Sequence, residues 1–296
     1  MHPILESAAG RYRWDEAWAE LPPAPENGRT HGLAFSRDGR LFVFRQAAPS
    51  ILIYDPAGRL VGSWGDFPGA HGLTLVEENG AEFLWLADET GAVAQTDLEG
   101  KVVRTLPLPG AGCRPTWVAA NARNGDIWLA DGYGEHLVHR YDAAGRLLAT
   151  LDGTAGAGRF KTPHGLWFDS RKEAAELYVA DRSHGRVQVF DGEGRFLRAF
   201  GAPFLNRPCG FARDGDRLLV PDLRARLTIL DLHDRPLAHL GENDRVCALP
   251  EWPDGTPLSP GLCNSPHAAA ADAAGNLYLA EWRRGGRIAR LERLDR

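Results

Sequence analysis

Short apolar segments separated by polar turns make up most of the chain. The segments are four to seven residues long, and they are either wholly apolar or alternate between apolar and polar positions. The turns between them contain Gly, often as Asp-Gly or Asn-Gly. Both patterns are typical of β-strands, and no segment with the period of a helix is long enough to indicate one. The pattern therefore predicts an all-β protein.

These strands form a unit that occurs six times. The unit has a starter position, a first strand, a polar turn, a second strand and a third strand, which in the clearest copies runs into the phrase D-x-x-G-R-x-L. The second strands read LFVFR, LWLAD, IWLAD, LYVAD, LLVPD and LYLAE, and they end at Arg45, Asp88, Asp131, Asp181, Asp222 and Glu281. The starter positions lie 40 to 58 residues apart, at His31, His71, Thr116, His164, Cys209 and His267.

A period of about 40 to 50 residues with four short strands indicates a propeller blade. Six copies therefore predict a six-bladed β-propeller with four-stranded blades, in one domain that spans residues 1–296. A closed ring also protects the sheet edges that an open sheet exposes. The segment at about residues 11–22 is expected to add a strand to the last blade and latch the ring.

Composition and charge narrow the choice of partners. The 296 residues are 44% hydrophobic and carry a net charge of −5, so the chain can bury a large core and has no basic face for nucleic acid. The N-terminal residues do not resemble a signal peptide, and no segment approaches the roughly 18 apolar residues of a membrane helix. We expect a cytoplasmic monomer or weak homo-oligomer with four unlinked thiols and no membrane partner.

Histidines at alternate starter positions are the candidate metal ligands. Starter residues surround the axis of a propeller, so His71, His164 and His267 are expected to converge there. Three neutral imidazoles can bind a zinc-like ion and leave its fourth position open. Alternatively, each histidine is a strand-entry residue that is hydrogen-bonded to the backbone. His31 breaks the alternation, and it either supports the site or marks a position that tolerates histidine.

The residues that end the second strands have two interpretations. Asp88, Asp131, Asp181 and Asp222 are expected to cap the turns that follow them. Arg45 stands where the other copies have an acid, and it is either a surface cation or a receptor for a carboxylate beside the metal.

With these motifs the chain resembles the peptidyl-α-hydroxyglycine α-amidating lyases, whose catalytic domain is a six-bladed propeller of NHL repeats. The resemblance covers about residues 28–293 and is carried by AHGLTL, PTWVAANARNGDIWLADGYG, TPHGLWFD with LYVADRSHGRVQVF, and SPHAAAADAAGNLYLAEW. It implies zinc bound by His71, His164 and His267, an active-site Tyr133, and substrate-contacting Arg45 and Arg182.

The chain also departs from that family. Ala268 stands where the family has an acid that binds a structural calcium, so we expect no calcium of that kind. Glu135 and His136 replace the Asn-Ser pair that usually follows the active-site tyrosine motif.

The resemblance implies a zinc-dependent carbon–nitrogen lyase that acts on a small hydroxylated carboxylate. The metal would activate the substrate hydroxyl, Tyr133 would take its proton, and Arg45 and Arg182 would hold the carboxylate. One alternative is a propeller that binds a partner without catalysis, which the departures favour. Another is a metal-dependent hydrolase or lactonase, although such enzymes surround a calcium-like ion with carboxylate and amide ligands.

Overall fold

A computed structural model of the chain describes residues 2–24 and 27–295. The chain divides into two compact units, which we call the central unit (Phe67–Gly210) and the terminal unit (Met1–Asp66 with Phe211–Arg296). Each unit contains three antiparallel sheets.

The sheets of the central unit follow one another along the chain, and each is a four-stranded meander. The first has β7 (Ala70–Glu78), β8 (Ala81–Asp88), β9 (Ala92–Thr96) and β10 (Val102–Thr105). The second has β11 (Trp117–Ala120), β12 (Ile127–Asp131), β13 (Leu137–Tyr141) and β14 (Leu147–Leu151). The third has β15 (Pro163–Phe168), β16 (Glu176–Asp181), β17 (Arg186–Asp191) and β18 (Phe196–Phe200).

The terminal unit has two meanders and one sheet that combines both ends of the chain. The meanders are β3 (Thr30–Phe35), β4 (Leu41–Arg45), β5 (Ile51–Tyr54) and β6 (Leu60–Trp64), and β19 (Ala212–Asp214), β20 (Arg217–Asp222), β21 (Arg226–Leu230) and β22 (Pro236–Leu240). The third sheet has the order β1-β2-β25-β24-β23, from β1 (Ile4–Ser7), β2 (Gly10–Asp15), β23 (Pro266–Ala271), β24 (Leu277–Glu281) and β25 (Ile288–Arg293).

The six sheets confirm the predicted all-β propeller of four-stranded blades. Every second strand ends at the residue that the repeat predicts. The last blade receives β2 as its fourth strand, with Trp14 opposite Leu291, and β1 adds a fifth. That the whole chain folds as one domain stays a prediction.

Helical structure in the described residues consists of two short 3₁₀ turns, at Arg182–His184 and Asp244–Ala248. No helix among these residues is long and apolar enough to cross a membrane.

The position of a strand in its blade decides how much of it is buried. All five residues of β12 are buried, as are the five of β4, which explains why these sequences are nearly continuous apolar runs. The outermost strands are exposed on alternate or adjacent positions, as at Leu60 (44% exposed) and Val102 (51% exposed). The inner strands therefore form the core.

The repeated D-x-x-G-R phrase is a turn that its own aspartate closes. In the second blade of the central unit, Asp142 Oδ1 accepts the backbone N–H groups of Ala144 (3.0 Å) and Arg146 (2.9 Å), and Oδ2 accepts Arg146 Nε (2.7 Å). The N–H of Arg146 is the largest cause that lowers the pKa of Asp142. The spacing of Asp, Gly and Arg in this repeated phrase is therefore set by the geometry of the turn.

We expect Trp14→Ala to destabilise the protein by about 3–5 kcal/mol, because it leaves a cavity where a large ring was buried. Trp14 is 1% exposed, packs in the core of the last blade, and lies 5.2 Å beneath the Arg287 guanidinium. Urea unfolding measures the change. The matched control, Leu60→Ala on an exposed outer strand of the same unit, should stay within about 0.5 kcal/mol. If Trp14→Ala lowered the free energy of unfolding by no more than the control does, the N-terminal strand would not be part of the core.

Candidate metal and carboxylate site

Two histidines of the central unit are held in one tautomer by backbone carbonyls. His71 Nδ1 lies 2.8 Å from the carbonyl oxygen of Thr116, and His164 Nδ1 lies 2.6 Å from that of Cys209. A carbonyl oxygen only accepts, so each Nδ1 carries the proton and each Nε2 keeps its lone pair. Each bond runs from the starter residue of one copy to the starter residue of the next.

The terminal unit has the same kind of bond. His267 Nδ1 lies 2.9 Å from the carbonyl oxygen of His31, and the two rings are 4.6 Å apart. His31 differs, because its own Nδ1 lies 3.2 Å from the carbonyl of Arg29, two residues earlier in the same copy.

This bonding follows the alternation of the histidines. The donors are in copies two, four and six, and the acceptors are the starter residues of copies three, five and one. The backbone role and the metal role therefore do not exclude each other, because the bond to the next copy uses one ring nitrogen and a metal ion would use the other.

Gly follows His71 and His164 because the next copy approaches too closely for a side chain. A Cβ at Gly72 would lie 2.5 Å from the Thr116 carbonyl oxygen, and one at Gly165 would lie 2.5 Å from the Cys209 carbonyl oxygen. These are the same oxygens that the histidines contact. The His-Gly phrase thus combines a donor with the space that the acceptor needs.

The structure brings Tyr133 and Arg182 to the two histidines of the central unit. The Tyr133 hydroxyl lies 3.1 Å from His71 Nε2 and 3.3 Å from His164 Nε2. Arg182 donates to the same oxygen at 3.1 Å, and its guanidinium carbon lies 5.2 Å from the ring centre. Four of the six residues predicted for the site are therefore in contact.

Burial governs the electrostatics of the Tyr133–Arg182 pair. Burial raises the pKa of Tyr133, and the Arg182 guanidinium, which lowers it, does not offset the effect. Burial alone would lower the pKa of Arg182, but Tyr133 and Cys209 raise it. At neutral pH the pair is a phenol and a guanidinium. Because Arg182 donates to the phenol oxygen, the phenolic proton points towards an imidazole Nε2.

The acids that end the second strands position the loops around this site. Asp131 accepts the N–H groups of Gly134 (3.0 Å) and Glu135 (2.8 Å), which confirms its predicted role as a turn cap. Each acid of the central unit also accepts an N–H from the loop before the first strand: Gly69 for Asp88 (3.1 Å), Arg114 for Asp131 (2.7 Å) and Lys161 for Asp181 (2.8 Å). The acids thus fix the approach to His71, Thr116 and His164.

Arg45 lies in the terminal unit, where its contacts are those of a structural cation. Its residue is 1% exposed, and its guanidinium donates to the carbonyl oxygens of Pro22 (2.7 Å) and Pro49 (3.1 Å). Burial lowers its pKa. Its binding of a substrate carboxylate stays a prediction.

Sequence reasoning missed Arg114 and Glu89, which lie beside Tyr133. The guanidinium carbon of Arg114 lies 5.9 Å from the Tyr133 ring centre, and Arg114 pairs with Glu89 at 4.0 Å. A signal was available: Arg114 comes two residues before the Thr116 starter and directly before the PTWVAANARNGDIWLADGYG motif that contains Tyr133.

The donor set fits a zinc-like ion. The unprotonated Nε2 atoms of His71 and His164 face the same hydroxyl, and the Nδ1–H groups are fixed by carbonyls, as is usual for metal-binding histidines. Oxygen-rich calcium coordination needs carboxylates, and Ala268 supplies none. The ligand role of His267 and the absence of a family-type calcium stay predictions.

Comparison with known proteins gives lyases and NHL-repeat proteins as relatives. The chain is 28% identical over 281 residues to NHL repeat-containing protein 3 of Homo sapiens, which covers 79% of the chain and 78% of that protein. It is 27% identical over 205 residues to a probable peptidyl-α-hydroxyglycine α-amidating lyase of Caenorhabditis elegans, covering 57% of each. A Drosophila melanogaster lyase of the same name is 34% identical over 163 residues, covering 48% of the chain and 29% of that protein.

Solved structures share the fold at low sequence identity. A gluconolactonase of Xanthomonas campestris matches with a TM-score of 0.68 and 18% identity, over 99% of the chain and 95% of that structure. A streptogramin B lyase matches with a TM-score of 0.66 and 15% identity, over 98% and 100%. The chain is a six-bladed β-propeller. No family model matches it.

We expect Gly165→Ala to destabilise the protein by about 1–3 kcal/mol, because the new Cβ forces the backbone of the next copy away. That Cβ would lie 2.5 Å from both the Cys209 oxygen and the Gly210 Cα. The control is Gly110→Ala in the same unit, where a Cβ meets nothing within 4 Å and the expected change is below about 0.5 kcal/mol. Urea unfolding measures both changes. If Gly165→Ala left the free energy of unfolding unchanged, the close approach of the Cys209 carbonyl to Gly165 would be contradicted.

Proposed function

We propose that this protein is a metal-dependent carbon–nitrogen lyase that acts on a small α-hydroxylated carboxylate. The observation that supports it is that the Nε2 atoms of His71 and His164 and the guanidinium of Arg182 all meet the Tyr133 hydroxyl oxygen, at 3.1–3.3 Å. The amidating lyases among its relatives are consistent with this chemistry. Zinc is the proposed metal, since imidazole nitrogens suit it.

Two of the three proposed ligands, His71 and His164, face the same Tyr133 hydroxyl in the central unit. His71 and His164 would bind the ion through Nε2, while the Thr116 and Cys209 carbonyls hold their Nδ1–H groups. The repeat adds His267 as the third ligand. A bound zinc ion supplies a Lewis acid that lowers the pKa of a substrate hydroxyl and stabilises the negative charge on that oxygen.

The proposed reaction transfers one proton and breaks one bond. The proton of the substrate hydroxyl goes to the Tyr133 oxygen, the carbon–oxygen double bond forms, and the carbon–nitrogen bond breaks. The nitrogen takes the electron pair and the proton that Tyr133 received, so an N-acyl-α-hydroxyglycine gives an amide and glyoxylate and Tyr133 returns to the phenolate. Tyr133 must first lose its own proton, and Arg182 at 3.1 Å would stabilise the phenolate.

The alternative function is a binding propeller without catalysis. The departures from the lyase motifs at Ala268 and at Glu135 and His136 favour it. In that case the Nδ1 bonds to the next copy would be the whole reason for the histidines. A metal measurement separates the two functions.

After zinc supplementation we expect about one zinc ion per chain. His71→Gln, His164→Gln and His267→Gln should each lower the zinc content, whereas His233→Gln at an exposed turn should not. Affinity should fall below about pH 6, because ligand imidazoles must be neutral and an ordinary histidine titrates near 6.5. Mass spectrometry of metal content gives the result. Wild-type protein with well under one zinc per chain would reject the lyase in favour of the binding propeller.

Tyr133→Phe should lower turnover by about 10²–10⁴-fold and leave the zinc content unchanged. The ring keeps its packing between the histidines, and only the hydroxyl is lost. Release of glyoxylate from an N-acyl-α-hydroxyglycine and from ureidoglycolate would be measured. A variant as active as wild type would remove Tyr133 from the reaction. Inactivity of zinc-loaded wild type with both compounds would reject the proposed substrate class.

A further inference from the structure

Two guanidinium groups lie close to the ring of Tyr133. The guanidinium carbons of Arg182 and Arg114 lie 5.2 Å and 5.9 Å from the ring centre. Arg182 donates to the phenol oxygen. Arg114 comes from a different loop, just before β11, so the two cations approach the ring independently.

The backbone fixes Arg114 next to Tyr133. The Arg114 N–H donates to Asp131 Oδ1 at 2.7 Å, and the Arg114 carbonyl accepts the Tyr133 N–H at 3.4 Å. Asp131 also holds the turn that contains Tyr133, through the N–H groups of Gly134 and Glu135. The same carboxylate therefore sets the positions of both residues. The Arg114 side chain itself is 54% exposed, so its guanidinium can meet a ligand.

Glu89 pairs only weakly with Arg114. Arg114 Nη2 and Glu89 Oε1 are 4.0 Å apart, which is too long for a hydrogen bond. The Arg114 side chain is 54% exposed and that of Glu89 24%, so water reaches the pair and weakens it. Burial raises the pKa of Glu89, and Arg114 and Arg182 lower it, so Glu89 lies in the field of both cations. An incoming carboxylate can replace this pair at small cost.

We propose that Arg114 is a specificity-determining residue, which together with Arg182 binds the carboxylate of the substrate beside the Tyr133 ring. Glu89 occupies Arg114 when the site is empty and competes with the substrate for it. The proposal rests on the proposed function for the class of substrate. It assigns to Arg114 the role that the resemblance gives to Arg45.

The geometry suits an α-hydroxy acid. A carboxylate offers about four acceptor sites, and two guanidiniums supply forked donors to it. The hydroxyl is on the carbon next to the carboxylate. If Arg114 and Arg182 bind the carboxylate beside the Tyr133 ring, the hydroxyl is therefore brought towards the phenol oxygen. Orientation of this kind is one of the larger contributions that binding makes to catalysis.

The test uses a ligand that cannot be cleaved. Phenyllactate has the hydroxyl and the carboxylate on one carbon but a CH₂ where the scissile nitrogen would be, and its methyl ester is the neutral match. Calorimetry on the zinc-loaded full chain compares both compounds in wild type, Arg114→Gln, Glu89→Gln and Arg123→Gln. Arg123 is an exposed arginine of the same unit and is the matched control.

We expect wild type to bind the acid more tightly than the ester. Arg114→Gln should weaken binding of the acid roughly tenfold, as for a lost charge-assisted hydrogen bond, and change that of the ester less than about twofold. Glu89→Gln should act in the opposite direction and tighten binding of the acid, because it removes the competitor. Arg123→Gln should change neither.

The proposal is overturned if Arg114→Gln affects acid and ester equally or affects neither, or if wild type does not bind the acid. Weaker binding of the acid to Glu89→Gln would also overturn the role of Glu89. Binding is measured without turnover, so the lyase assay remains a separate result. If Arg114→Gln weakened binding of the acid but not of the ester, and wild type released no glyoxylate, the carboxylate site would be upheld and the lyase function rejected.

Discussion

The hydrogen bond from a histidine Nδ1 to the carbonyl of the next starter residue is the constraint on which the site depends. At 2.8 Å for His71 and 2.6 Å for His164, this bond joins consecutive copies of the repeat and at the same time fixes which nitrogen carries the proton. At these two positions the accepting oxygen also lies where a Cβ of the following residue would be, which explains Gly72 and Gly165. Structure and ligand chemistry are therefore set by one contact rather than by two separate features.

Burial determines what the groups around these histidines can do. Tyr133 meets two lone pairs and one guanidinium, yet burial keeps its pKa above that of an ordinary tyrosine. The protein alone therefore presents a phenol, and base chemistry requires additional positive charge beside it. A cation bound by the Nε2 atoms of His71 and His164, which both face the Tyr133 hydroxyl, would supply that charge. The proposed metal and the proposed role of Tyr133 thus depend on each other.

The sequence was informative where a pattern repeats and silent where a contact is particular to one copy. Six second strands ending in an acid or in Arg45 were enough to predict the blades and the strand ends. The same repeat singled out His71 and His164, because an unusual side chain at a fixed position is visible by comparison between copies. The N–H bond to the strand-end acid recurs at Gly69, Arg114 and Lys161, but the side chain at this position differs between the copies, so the repeat does not reveal that the Arg114 guanidinium meets Tyr133.

Arg45 illustrates the limit of assigning a role by position. It occupies the strand end where the other copies have an acid, and that position suggested a receptor for an anion. In those copies the acid accepts N–H groups, whereas a guanidinium at the same place needs acceptors, and Arg45 finds them in the carbonyls of Pro22 and Pro49. Both solutions satisfy backbone groups at the strand end with a charged side chain. The departure from the repeat therefore replaces N–H partners with carbonyl partners at the strand end, whereas the guanidinium of Arg114 is half exposed and open to a ligand.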